Sequence, residues 1–220
     1  MYLHYVLDLW AGWWRRRHAR GDVIIVRFAD DFIVGFEHRE DAERFLDELR
    51  GRFAKFGLEL HPGKTRLIES GRRAARDRAA RGEGKPETFD FLGFTHICAK
   101  AGNGRFWLKR ITISKRMRAK LKAVNGQLKR RMHQPIPEQG RWLAAVVRGH
   151  MAYYSVPGNY EAVAAFCDQV TRYWLKALRR RSQKTTVDWT RMVRIRRRWL
   201  PPVRVIHPFP EARFAATHPR

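Results

Sequence analysis

Cysteine is scarce: the 220 residues hold only Cys98 and Cys167, with no Cys-x-x-Cys pair. That excludes a disulfide scaffold and a cysteine-based zinc site, whose ligands come at close, regular spacings. Both read as buried or half-buried thiols. The nine histidines fall at no recognised metal-ligand spacing, so no metal is assigned to them. Long apolar runs are missing as well: no stretch approaches the roughly 18 uninterrupted apolar residues of a membrane-spanning helix. The opening residues run from apolar to Arg15, Arg16 and Arg17, the reverse of a signal peptide's charge order. A cytoplasmic protein without membrane insertion is expected. Acid is short too, with 21 Asp and Glu against 46 Lys and Arg, a formal charge of +25. An excess of this size calls for a polyanionic partner, nucleic acid before an anionic membrane surface.

What is present can fold. Hydrophobic residues make up 44% and aromatics 12%, and eight tryptophans need a core to pack in, so disorder is excluded. Leu3, Val6, Leu7, Trp10 and Trp14 recur near a 3.6 period, which predicts a helix over residues 1–14. Residues 23–28, Val-Ile-Ile-Val-Arg-Phe, read as a strand and residues 32–36 as its continuation after Ala29-Asp30-Asp31. Strand, acids, strand is a tight hairpin with carboxylates at its tip. Residues 40–56 form an amphipathic helix stopped by Gly57, and residues 58–60 and 65–68 flank a turn at His61–Lys64, giving a second short hairpin. The Gly/Arg/Ala-rich stretch 71–86 has no packing pattern and reads as a mobile loop. Two strands are expected at 89–98 and 105–113.

From Ser114 onward the pattern is helical, with helices expected at 114–132, 138–154, 160–181 and 187–200. The first carries eight Lys and Arg between residues 114 and 133 and no acid. Lys115, Arg116, Lys120, Lys129, Arg130, Arg148, Arg179, Arg180 and Arg181 are the candidate nucleic-acid-binding residues. Arg172, Lys176 and Lys184 extend the second cluster, and Arg194, Arg196, Arg197 and Arg198 form a third. Tyr153, Tyr154, Trp174, Trp189 and Trp199 are interleaved and suit stacking on unpaired bases, although their helical spacing equally places them in the core.

Asp30 and Asp31 are the candidate catalytic and metal-binding residues. Adjacent carboxylates on an apolar hairpin suit Mg²⁺, which takes one or two carboxylates plus phosphate oxygens; an ordinary Asp-containing turn is the alternative. Neighbouring positions point to opposite faces, so one of the pair faces a given site squarely.

Phe28-Ala29-Asp30-Asp31 is one residue from the Tyr-Ala-Asp-Asp box of group II intron reverse transcriptases, and further segments follow in that family's order. Leu58–Thr65, with Lys64, resembles the segment near the incoming nucleotide. Phe91-Leu92-Gly93-Phe94 resembles the primer-grip region. Arg148-Gly149-His150-Met151-Ala152-Tyr153-Tyr154 resembles the maturase (thumb) signature, and Arg198–Pro202 and His207–Pro210 resemble the family's end. The chain thus resembles the C-terminal portion of a group II intron reverse transcriptase/maturase.

The resemblance implies an α+β fold: a partial polymerase palm of antiparallel hairpins with a helix over residues 1–112, then an α-helical thumb/maturase domain over 113–220. It implies Mg²⁺ as cofactor and catalysis by Asp30, Asp31 and Lys64, with Lys64 otherwise a solvated lysine. Phe28, Ala29, Leu92 and Gly93 would contact primer or nucleotide, Phe28 lacking only the usual hydroxyl. The implied partners are group II intron RNA, a primer–template duplex and a complementing N-terminal reverse transcriptase half. The family's palm takes a third carboxylate from an upstream strand, which this sequence does not supply; Asp8 lies in an apolar helix and suits pairing. Little polymerase activity from the chain alone, and no endonuclease, are therefore expected. A truncated product, a split-protein half, an inactive remnant and a non-catalytic splicing cofactor remain open, and palm surface left bare could drive self-association.

Overall fold

The computed structural model describes residues 2–181 and 187–209, which fall into two compact units, residues 1–69 and 70–220. Lys184 and Pro210 lie outside the described residues. Helices and antiparallel strands are both present, in keeping with an α+β fold.

The first unit opens on a π-helical turn, His4–Asp8, that runs into α1 (Leu9–Arg17). Val6, Leu7, Ala11 and Trp14 form its buried stripe. The hairpin β1 (Val23–Phe28) and β2 (Asp31–Phe36) follows, then α2 (Arg39–Lys55), whose Phe45, Leu49 and Phe53 close the same core. Burial of each such side chain contributes about 1.5–3 kcal/mol. Two polar contacts fix the connection. The buried Asp41 carboxylate accepts the backbone N–H of Arg20 at 2.7 Å, and Trp14 Nε1 donates to Glu48 at 2.9 Å.

The hairpin pairs Val23 with Phe36, Ile25 with Val34 and Arg27 with Phe32 on one face. Val23, Ile25, Phe32, Val34 and Phe36 pack against the helices. The alternate residues point the other way, and Ile24, Val26 and Phe28 are 67%, 48% and 64% exposed. One face of this two-stranded sheet is therefore apolar and bare.

The second unit holds α3 (Arg72–Ala80), the sheet β3 (Phe89–Phe91), β4 (Phe94–Lys100) and β5 (Phe106–Thr112), and helices α4 (Ser114–Arg130), α5 (Ile136–Tyr154), α6 (Tyr160–Arg179) and α7 (Trp189–Trp199). Its core joins Leu121, Val124 and Leu128 of α4 to Leu143 and Val147 of α5, Phe166, Val170 and Trp174 of α6, and Met192 of α7. At its centre Gln139 is fully buried. Its Nε2 lies 2.9–3.1 Å from the carbonyls of Arg131, Met132 and Gln134, which share its two N–H donors, and its Oε1 accepts from Trp174 Nε1 at 2.7 Å. Both its donor nitrogen and its acceptor oxygen are engaged, which is what makes a buried amide tolerable.

The sheet is tied to the helices by Asn159. Its Oδ1 accepts from Thr112 N at 2.9 Å, while Nδ2 donates to Thr112 Oγ1 and the Tyr154 carbonyl. Tyr153 donates to the Leu92 carbonyl at 2.7 Å. The sequence divides near residue 112 by composition; the compact units divide at 69/70, because these bonds bind β3–β5 to the helices that follow.

Three expectations are corrected. Residues 71–86 are not a bare loop: Ala and Arg are strong helix formers, and α3 forms there while burying only Ala74. No strand pairing joins residues 58–60 to 65–68; Leu58 and Leu60 instead pack on the first core, around a turn in which His61 O accepts from Lys64 N and Thr65 N. The strand expected at 89–98 is two strands, because Leu92 and Gly93, with φ of 46° and 83°, form a two-residue hairpin loop of the type I′ pattern.

Candidate functional site

The tip of the β1–β2 hairpin is a two-residue loop, Ala29-Asp30, closed by the pair Phe28 and Asp31. Only Ala29 has positive φ (55°), the φ pattern of a type II′ turn, where glycine is the usual first residue. Asp31 is thus the first residue of β2 and shares the bare sheet face with Phe28, Val26 and Ile24, whereas Asp30 is a loop residue. Both carboxylates are exposed, and neither takes part in a hydrogen bond or ion pair among the described residues.

The tip is braced from beneath. Arg27, the single charge in β1, faces inward. Its Nε and Nη2 donate to the two oxygens of Asp8 at 2.7 and 2.6 Å, and its Nη1 donates to the Ala29 carbonyl at 2.8 Å. Hydrogen bonding from Arg27 holds the Asp8 carboxyl below its usual range, against the opposing effect of burial. Asp8 is therefore committed to Arg27, with His4 Nδ1 also 3.2 Å away, as its helical position suggested. Sequence reasoning missed Arg27. The available signal was a lone charge at an inward register position within a β-branched run.

Lys64 is exposed in its own turn, and no hydrogen bond or ion pair among the described residues joins it to Asp30 or Asp31. Among the described residues there is no group of three or more His, Cys, Asp or Glu that could hold a metal ion. The donor set at the tip is Asp30 and Asp31 alone. Two free carboxylates fit one hydrated Mg²⁺ that takes its remaining ligands from water and phosphate, and they are too few for a pair of ions.

In the second unit the structure brings Phe91–Phe94 and Arg148–Tyr154 together. Leu92 is half-buried and Gly93 buried, and a Cβ added to Gly93 would lie 3.1 Å from Tyr154 Oη and 3.3 Å from Arg116 Nη1. The Phe91–Phe94 hairpin thus rests on Tyr153 and Tyr154, with Phe94 stacked on Tyr153 at 5.8 Å. Leu92 and Gly93 make these contacts within the unit.

The basic residues separate into two groups. Lys115, Arg116, Arg118, Lys120, Lys122, Lys129 and Arg130 of α4 and Arg148 of α5 are exposed and form no ion pair among the described residues. Arg179, by contrast, donates to the Val187 carbonyl at 2.8 Å, and Arg196 pairs with Asp168 at 2.6 Å. Arg180 is exposed, and Arg181 is half-buried near the His133 carbonyl at 3.5 Å. Trp174 is wholly buried and is core; Tyr153 and Trp189 are about half exposed.

Residues 1–96 match the family described as reverse transcriptase (RNA-dependent DNA polymerase). The match holds the whole first unit, with its Asp30–Asp31 tip, and continues through the Leu92–Gly93 hairpin to His96. Comparison with curated proteins found no match.

Proposed function

We propose that the chain is part of a group II intron reverse transcriptase/maturase, a palm portion with Asp30 and Asp31 at its catalytic tip joined to a helical domain that grips RNA. The observation that carries this reading is the braced, two-residue tip presenting two unpaired carboxylates inside the stretch matched to reverse transcriptases. Asp30 and Asp31 would hold Mg²⁺, which when bound neutralises charge on the attacking 3′-hydroxyl and the leaving pyrophosphate. Phe28, paired with Asp31, offers a ring to a primer end. Arg27 keeps the tip in place through the Ala29 carbonyl. Intron RNA and a primer–template duplex are the partners that suit α4, whose exposed cations have no acidic counterpart. A third carboxylate, from a complementing reverse transcriptase half, would complete the metal site.

The first test is primer extension on an RNA template with Mg²⁺, using the chain and its Asp30→Ala/Asp31→Ala variant, beside binding of the same template. The expected result is salt-sensitive RNA binding, equal in both proteins, with extension only when a complementing half is added and only by the parent. A group II intron RNA should bind more tightly than a random RNA of equal length at matched salt. Equal affinity for the two RNAs would refute the maturase assignment, and extension that survives in the double variant would refute the role of the tip.

A second reading, a splicing cofactor that binds RNA without catalysis, is favoured by one feature. The run of exposed α4 cations, without an ion pair among the described residues, lies in the second unit, apart in sequence from the acidic tip. Full splicing assistance by the double variant is its signature.

A further inference from the structure

Helices α4 and α5 leave a groove of about 370 Å³ between them. Its walls combine two chemistries. Met117, Val146 and the Tyr154 ring supply an apolar floor, and Arg116 and Lys120, one helical turn apart on α4, supply a cationic rim. Neither cation has a carboxylate partner among the described residues, and no acid occurs between Ser114 and Pro137. Gly149 opens the α5 side: a Cβ built there meets nothing within 4 Å. His150 also lines the groove. It is buried, stacked on Phe166 at 3.7 Å, and its Nε2 has no hydrogen-bond partner.

We propose that this groove holds one unpaired nucleotide of an RNA, with its phosphate on Arg116 and Lys120 and its base against Met117, Val146 and Tyr154. The proposal rests on the RNA-binding reading and deepens it. Paired cations alone would suit any phosphate of a duplex, but a duplex keeps its bases stacked inside and has no use for an apolar floor. A base out of its stack has two π-faces and polar edges, and it needs a wall to cover the former and donors or acceptors for the latter. Burial and the Lys120 charge push the His150 pKa down to about 4, so the imidazole is neutral at physiological pH and adds no third cation to the rim. A second groove, of about 340 Å³, lies where Ile136 and Pro137 meet α7. Its Arg198 already stacks on Trp199, at 5.6 Å, so its rim is partly engaged.

The consequence is a preference for bulged over perfect duplex RNA. The test uses the full chain with two labelled RNAs at matched salt, identical except that one carries a single bulged 2-aminopurine. Removing one base–side-chain stack changes affinity by about tenfold, so the parent should favour the bulged RNA by about that factor. The 2-aminopurine emission should change on binding. Gly149→Leu, which fills open space, should abolish both the preference and the emission change while leaving affinity for the perfect duplex and its salt slope intact. Ala145→Phe, at an exposed position lining the same groove, is a second plug should the first disturb folding.

A preference that persists in both plugged variants overturns the proposal. So does salt-sensitive duplex binding by the parent with no preference for the bulge; either result leaves the RNA-binding reading standing. Equal competition by a polyglutamate peptide would assign the groove to generic charge and overturn it as well. Failure to bind either RNA would overturn both the groove and the reading beneath it.

Discussion

His150 shows how one side chain carries a pH dependence. In the unfolded chain its imidazole titrates near 6.5, and in the folded protein burial and Lys120 lower that to about 4. Between those values the unfolded state binds the extra proton, so stability is intact above pH 6.5 and drains away as pH falls toward 4. A shift of this size corresponds to at most about 3 kcal/mol. His150→Phe keeps the stack on Phe166 and removes the titration; denaturant midpoints at pH 7 and pH 5 should converge in the variant and differ in the parent. Parallel curves for the two proteins would show that His150 is not the source. Nothing in the sequence forecasts this, since a histidine on an amphipathic helix has no visible neighbours. Arg27 is similar: its bond to the Ala29 carbonyl spans two residues, yet its partner Asp8 stands 19 residues away. Asp30 and Asp31 were legible because their position at a strand break is local. Their freedom from partners was not.

At the scale of elements, glycines within helices separate packing from propensity. Gly140 in α5 faces the Trp199 ring of α7, and a Cβ there would lie 2.6 Å from the indole. Gly126 in α4 faces open space. Alanine is the better helix former by roughly 1 kcal/mol, so Gly126→Ala should stabilise the protein by about that amount. Gly140→Ala should instead destabilise it by about 1–3 kcal/mol, because the indole must shift. Thermal unfolding of the two variants should move Tm in opposite directions; a rise in both would show that α7 yields freely.

Helices α2, α4, α5 and α6 were legible within a few residues because each repeats a wide apolar stripe. The strand elements were less so. Residues 89–98 look continuous because Leu92 has no turn character, and only Gly93 hinted at the break that two positive φ angles make. Residues 58–68 carry alternating apolar residues, but Leu58 and Leu60 satisfy that pattern by joining the helical core instead of a strand partner. Helix α3 was hidden because it buries so little that no periodicity was required.

For the whole molecule, charge sets the terms of association. A formal +25, with the α4 cations unpaired, means that RNA binding should fall linearly in logarithm as salt rises, with a slope of roughly −0.7 to −0.9 per phosphate contacted. Lys115→Ala, Arg118→Ala and Lys122→Ala together should reduce that slope for duplex RNA, as read from affinities across a salt series. An unchanged slope would place the phosphate contacts elsewhere. The +25 excess was plain from composition, whereas its division between free cations on α4 and engaged ones such as Arg179 and Arg196 depends on contacts that only folding creates.

The bare sheet face bears on how folding would be judged in solution. Ile24, Val26 and Phe28 stand in a row on the outer side of β1, while the inner side of the same strand is packed. A dye such as ANS, whose brightening is ordinarily read as loosened packing, should therefore glow on the fully native protein. Near-UV circular dichroism, which tracks fixed aromatic side chains, should stay native in the same sample. A fluorescent sample of this chain would then be a well-folded one with an unclad sheet, and Ile24→Thr with Val26→Thr should dim the dye while leaving the aromatic spectrum as it was.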